Sequence, residues 1–148
     1  MAHNILLIED DPVAIVSVQQ ALSHSSDGTF QLEWVRSCWG AIERLSRKET
    51  ARSNGIAAVL VELFLPDSQG IETLDRLFRA VPLIPILVLS APRHENIAKL
   101  ALQRGGQDYL LKTRVDAYWL PKALNVVLER ASLAEALFEE RQRPQVAP

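Results

Sequence analysis

The strongest constraint on this chain is a rhythm: short apolar runs alternate with stretches whose apolar residues recur every three or four positions. Ile5 to Ile8 is continuously apolar and stops at Glu9-Asp10-Asp11-Pro12, which reads as a buried strand and its loop. Val13, Val16, Ala21 and Leu22 fall roughly on one helical face until Ser25-Ser26-Asp27-Gly28 breaks the pattern. Phe30, Leu32 and Trp34 alternate with Gln31, Glu33 and Val35, a period of two that suits a strand nearer the sheet edge. A second helix is predicted from about Ser37 to Lys48. Ile56 to Leu65 is apolar except for Glu62, and Pro66 to Gly70 supplies the turn chemistry that ends it. A third helix (Ile71 to Ala80), a fourth strand (Ile84 to Leu89), a fourth helix stopped at Gly105-Gly106 and a short last strand (Tyr109 to Leu111) follow. The final helix is predicted from about Asp116 toward Arg143, starting or bending near Pro121. Strands alternating with helices throughout predict an α/β fold: a doubly wound, five-stranded parallel sheet with five helices.

Composition narrows the function. The chain has 148 residues, one domain's worth, with 48% apolar and 23% charged residues. Its longest apolar runs are short, and that from Val81 to Leu89 is interrupted by Pro82 and Pro85, so no membrane span is expected. Met1-Ala2-His3-Asn4 has no basic region of the secretory kind, and a cytoplasmic location is expected. The single cysteine, Cys38, allows neither an internal disulfide nor a thiolate cluster and is read as a packing residue. A formal charge of −2 gives no global basic field, so no direct nucleic-acid partner is expected. Trp34, Trp39 and Trp119 are read as core or interface packing, Asp11 and Asp67 as turn and cap residues. His3, His24 and His94 are too isolated from one another for a metal site.

The polar residues that interrupt or end strands carry the functional signal. In an open parallel sheet, ligand-binding groups gather at the carboxyl ends of the strands, beside the point where strand order reverses. Strand one ends in Glu9 and Asp10, strand three carries Glu62, strand four ends at Ser90 and strand five at Lys112. Close carboxylates repel unless a cation neutralises them. A hard divalent ion such as Mg²⁺ would satisfy the acidic pair, with Lys112 neutralising the remainder. The cluster points to phosphate or metal chemistry.

Four motifs in order carry a family resemblance: Ile5-Leu6-Leu7-Ile8-Glu9-Asp10-Asp11, Val61-Glu62-Leu63-Phe64-Leu65-Pro66-Asp67-Ser68-Gln69-Gly70, Val88-Leu89-Ser90-Ala91, and Gly105-Gly106-Gln107-Asp108-Tyr109-Leu110-Leu111-Lys112. From Asn4 to about Arg130 the chain resembles the receiver domains of two-component response regulators, a flavodoxin-like fold. In that family an aspartate accepts a phosphoryl group from a histidine kinase while an acidic pair holds Mg²⁺. The resemblance implies that Glu62 occupies the acceptor position, Glu9 and Asp10 the acidic pair, Ser90 the switch hydroxyl, Tyr109 the switch aromatic and Lys112 the phosphate-facing lysine. Two positions depart from the pattern: Glu62 for the acceptor aspartate, and Thr113 where the family commonly has a proline, so the loop into the last helix should differ.

Phosphoryl transfer is nearly all positioning, and a displacement of about 1 Å costs on the order of a hundredfold in rate. The extra methylene of Glu62 therefore predicts a pseudo-receiver rather than an enzyme. Its carboxylate reaches toward the place of an aspartyl phosphate, where an ion pair with Lys112 or a contact with Ser90 could imitate the modified state; alternatively it locks the domain in an inactive-like shape. The rival reading is an active phosphoacceptor using Mg²⁺ and Glu62. A flavin or nucleotide binder is disfavoured because Asp10-Asp11-Pro12 stands where a glycine-rich phosphate loop would be.

Leu120, Leu124, Val127, Ala131, Ala134 and Phe138 are spaced four, three, four, three and four, the seam of a left-handed coiled coil. The expected organisation is a receiver-like domain over residues 1–130 and a helical linker or dimerisation extension with a disordered tail over 131–148. Leu133 to Arg141 looks like linkers joining receivers to sensor, kinase or cyclic-di-nucleotide output domains. The expected partners are a histidine kinase or other signalling protein, an output domain in cis, and a second copy of the chain.

Overall fold

The computed structural model describes residues 2–24, 29–51 and 53–144. Five strands form one parallel sheet in the order β2-β1-β3-β6-β7: β1 (His3–Ile8), β2 (Phe30–Val35), β3 (Ala58–Val61), β6 (Ile86–Ser90) and β7 (Asp108–Leu111). The helices are α1 (Pro12–Ser23), α2 (Cys38–Ser46), α3 (Ile71–Ala80), α4 (Glu95–Gln103) and α5 (Trp119–Gln142). The predicted architecture is the one observed. The breaker proposed at Ser25 to Gly28 and the tail from residue 145 onward lie outside the described residues.

Alternate side chains of the central strands enter two separate cores, which is why those strands read as continuous apolar runs. Leu6, Ile8, Val59, Val61, Ile86 and Val88 pack with residues of α2, α3 and α4 such as Ala41, Leu74 and Ala98. Ile5, Leu7, Ala58, Leu60, Leu87 and Leu89 pack with α1 and α5 through Ile15, Val18, Leu120, Leu124 and Val127. Strand order reverses between β1 and β3, so the carboxyl ends of those strands flank the natural ligand crevice. At Gly105 (φ +111°) the chain leaves α4 in a conformation few other residues adopt, and a Cβ there would also press to 3.2 Å from the Phe78 ring.

Three local expectations are corrected. The third strand ends at Val61 instead of Leu65. The Glu62 N–H still donates to the Ile8 carbonyl at 2.9 Å, but the chain then turns into an antiparallel hairpin, β4 (Phe64–Leu65) with β5 (Ser68–Gln69). Glu62 thus lies just past its strand rather than inside it. The last helix begins at Trp119 rather than Asp116, because the Asp116 carboxylate accepts from the N–H groups of Tyr118 and Trp119 as a cap. Pro121 falls in the first turn, where its missing N–H costs no helical bond. The three tryptophans, read as core or interface packing, are 43% to 64% exposed, which removes the core alternative alone.

Asp67, read with Asp11 as a turn and cap residue, does its capping across the fold. Its Oδ1 accepts from Cys38 N and its Oδ2 from Trp39 N, both at 2.9 Å, so it caps α2 from the tip of the β4–β5 hairpin. Partial burial disfavours its ionised form, but the hydrogen bonds from Trp39 and Cys38, with the nearby Arg76, outweigh that and hold the carboxyl below its ordinary range. Asp67→Ala is expected to cost about 1 kcal/mol at neutral pH by urea denaturation. A lowered carboxylate pKa stabilises the fold above the unfolded value near ~3.9 and loses that contribution as pH falls through the lower folded value. Variant and wild type should therefore converge in strong acid; a difference that persists there would refute the charged cap.

Candidate functional site

Three of the expected site residues meet at the carboxyl edge of the sheet. Glu9 follows β1, Glu62 follows β3 and Lys112 follows β7, so three parallel strands deliver their next side chains to one place. Lys112 Nζ lies 2.8 Å from Glu62 Oε1 and 2.9 Å from Glu9 Oε2. Glu9 is 2% exposed, Glu62 6%, and the Lys112 side chain 22%. One ammonium is shared by two buried carboxylates.

Backbone donors fix the rest of each carboxylate. Glu9 Oε1 accepts from the N–H groups of Asp10 and Asp11 at 3.1 Å, the start of the loop into α1. Its Oε2 meets Lys112 as a contact of charge rather than an aligned hydrogen bond. Glu62 Oε2 accepts from Phe64 N at 3.3 Å, which folds the side chain back over its own loop. Burial pushes the Glu9 carboxyl above its ordinary range, partly opposed by Lys112 and the Asp11 N–H, while the Glu62 carboxylate adds to the rise. For Lys112 burial works against the charge, yet Glu62 and Glu9 more than reverse it, and its pKa is raised.

The other expected residues stand apart from this trio. Asp10 is exposed, and its carboxylate makes no hydrogen bond or ion pair among the described residues. The buried Ser90 hydroxyl donates to the Ala91 carbonyl at 2.8 Å. Tyr109 donates its phenolic hydrogen to Glu95 Oε2, at the start of α4, at 2.7 Å. Neither reaches Glu62. Beyond the carboxyl ends of β3 and β6, the Phe64 and His94 rings stack with centroids 3.8 Å apart and planes inclined by 23°. Together with Glu62, Ser90 and apolar residues of β6 and α4 they line a small crevice. Phe64, His94 and Glu95 were missed in the sequence. The available signal was their position, two residues beyond Glu62 and four and five beyond Ser90, on the loops at the carboxyl edge.

Among the described residues no three His, Cys, Asp or Glu side chains gather at metal-binding spacing, and the two carboxylates that do converge already hold an ammonium. Chemically, the site is a nearly balanced, dehydrated charge cluster of net charge −1.

Residues 5–124 match the response regulator receiver domain family. The nitrate/nitrite response regulator protein NarL of Escherichia coli is 32% identical over 143 residues, covering 97% of this chain and 61% of NarL. The chain therefore spans about three fifths of that relative's length. Among solved structures, a response regulator receiver domain protein from Clostridium thermocellum superposes with a TM-score of 0.72 at 23% identity, covering 89% of this chain and 98% of that one. An adenylate cyclase from Rhodopirellula baltica superposes with a TM-score of 0.76 at 19% identity, covering 97% and 100%.

Lys112→Met would leave two buried carboxylates without their cation. The expected loss is about 3 kcal/mol at neutral pH, shrinking in acid as the Glu9 carboxyl, raised by burial, protonates, and partly recovered by adding Glu9→Gln. Because its pKa is raised on folding, Lys112 contributes fully below the unfolded lysine value near ~10.4, and the contribution is lost as pH rises through the higher folded value. The variant should lack this alkaline limb of the stability curve. An unchanged urea midpoint at pH 7 would contradict the shared-ammonium description.

Proposed function

The chain belongs to the response regulator receiver domain family, and from that premise we propose that it is a pseudo-receiver, a module of two-component or cyclic-di-nucleotide signalling in which Glu62 replaces the acceptor aspartate and takes up no phosphoryl group in the usual way. The observation that carries this reading is the Glu62–Lys112–Glu9 cluster. Both oxygens of Glu62 are engaged, one by the ammonium at 2.8 Å and the other by the Phe64 N–H, and the carboxylate is nearly dehydrated. In-line transfer needs the attacking oxygen aligned with the phosphorus and its leaving group, and these two contacts hold each Glu62 oxygen in a direction set by Lys112 or the Phe64 N–H.

In this reading Glu62 supplies, without chemistry, the contact with Lys112 that a phosphoryl group would otherwise make. Ser90 and Tyr109 hold to Ala91 and Glu95, so the imitation is confined to the lysine side of the site. Asp10 retains the acidic pair's sequence position without its metal role. The module acts in the cytoplasm by protein contact, with a histidine kinase or other signalling protein and with an output domain in cis. Its work is done by shape, not turnover.

The carboxyl-terminal part of α5 supports the coupling role. The helix runs 24 residues, and beyond Arg130 it leaves the core, with Leu133, Leu137 and Phe138 between 53% and 64% exposed. Leu133, Ala134, Leu137 and Phe138 share one broad helical face, wider than the Ala131-Ala134-Phe138 seam that spacing alone suggested. We read residues 131–143 as a connector that pairs with the same helix of a second copy.

Incubation with acetyl phosphate and Mg²⁺ should leave the intact mass unchanged. A stoichiometric gain of one phosphoryl group, abolished by Glu62→Gln, would overturn the pseudo-receiver reading. For the connector, sedimentation should report a dimer that becomes monomeric on Leu133→Glu/Leu137→Glu; a wild-type monomer at high micromolar concentration would remove the pairing claim.

A further inference from the structure

β2 is an end strand of the sheet, with β1 as its neighbour. The His3 N–H donates to the Thr29 carbonyl at 3.0 Å and the Glu9 N–H to the Val35 carbonyl at 3.1 Å, so the odd-numbered residues of β2 bond inward. In a parallel ladder the alternate residues point the other way, and Phe30, Leu32 and Trp34 carry their N–H and C=O groups off the open side. Among the described residues nothing bonds these groups. The strand runs six residues, FQLEWV, without the proline, glycine bulge or lysine that commonly blunts a sheet edge. At the opposite edge Asp108 Oδ1 accepts from Tyr109 N at 2.8 Å and Arg130 donates to the Gln107 carbonyl at 3.4 Å, so side chains already engage the backbone around β7. α2 stands clear of the β2 edge, since an open groove of about 710 Å³ is lined by Trp34 and Val35 on one side and Glu43 and Arg47 on the other.

We propose that β2 is a second self-association surface, pairing antiparallel with β2 of another copy about a two-fold axis through Leu32. Outward residues must meet outward residues for both to exchange hydrogen bonds. The pairing centred on Leu32 is the one that engages all three on each strand, setting Phe30 opposite Trp34 of the second copy and Leu32 opposite Leu32. Moving the centre to Gln31 or Glu33 loses one such pair, and the second of these also sets two Glu33 carboxylates face to face, which is unfavourable. In the centred register Glu33 meets Gln31 instead, and its charge is already held by Arg44 at 2.8 and 3.0 Å. Phe30 and Leu32 lie on the α1 and α5 side of the sheet, and by alternation so does Trp34. The exposed Trp34 ring thereby covers the half-buried Phe30 of the second copy, an aromatic cross-strand pair. One strand is a small contact. It is separate from residues 131–143 and independent of Glu62, and it links pairs held by α5 to one another.

The test captures the contact covalently in the Leu133→Glu/Leu137→Glu background, where α5 does not contribute. In the centred register Gln31 and Glu33 of two copies form a non-hydrogen-bonded pair with Cα atoms about 4.5 Å apart, within disulfide range. Gln31→Cys and Glu33→Cys proteins, one of them isotope-labelled, are mixed in equal amounts at high micromolar concentration with oxidised glutathione, and covalent dimers are read by intact mass. Each disulfide formed consumes one oxidised glutathione and releases two of the reduced form; Cys38 is buried and common to both proteins. The mixed dimer should exceed either symmetrical dimer by at least about tenfold. Trp34→Pro in both chains removes an outward N–H while leaving the β1 ladder intact, and should return the products to statistical proportion. No covalent dimer, a statistical mixture from the start, predominance of a symmetrical dimer, or a preference that survives Trp34→Pro would overturn the pairing. Leu32→Cys leaves the Glu33–Arg44 pair in place and guards against a folding defect. It should couple to itself at least about tenfold faster than Gln31→Cys does, although Gln31 is the more exposed residue; equal or slower coupling would also overturn the proposal.

Discussion

The shared ammonium of Lys112 is the interaction on which the functional edge of this molecule depends. Two carboxylates at the carboxyl ends of neighbouring strands could not both remain charged and dehydrated without it, since like charges at that range in a poorly solvated site force one to protonate or the site to open. The geometry comes from the sheet. β1 and β3 are direct neighbours, and β6 and β7 follow in register, so the residue after each strand arrives at the same level. Parallel pairing turns three residues far apart in sequence, Glu9, Glu62 and Lys112, into one buried cluster.

Much of this was legible because of how the cluster violates its surroundings. Glu9, Glu62 and Lys112 each interrupt or terminate an apolar run, and a charge at the end of a strand buried on both faces demands a partner. The strand and helix pattern was equally readable, since the two-sided cores impose continuous apolar strands while single-sided helices impose a period near 3.6. Lengths were harder to read. Leu63 and Leu65 are as buried as true strand residues, so apolarity alone could not reveal that the third strand had given way to a hairpin.

What could not be read depends on contacts between distant positions with ordinary side chains. Asp67 caps a helix whose first residue lies 29 positions earlier, and nothing near Asp67 in the sequence points to α2. His94 was set aside because no other histidine stands near it, yet its partner is a phenylalanine ring, which leaves no polar signature in the sequence. Tyr109 was legible as a residue of interest but not its attachment to Glu95, because a tyrosine hydroxyl on a partly exposed strand can turn to several acceptors. In all three cases the folded backbone had to bring the partners together before their chemistry could be recognised.

One consequence of the long last helix is mechanical. Its first half is clamped to the sheet by Leu120, Leu124 and Val127, while the dozen or so residues past Arg130 extend about 18 Å at the usual helical rise. Such a rod is a lever with its fulcrum at the sheet. A tilt of about 10° at the clamped end would sweep the far tip through about 3 Å, so a change in side-chain packing too small to alter the strands would arrive amplified at whatever the helix touches.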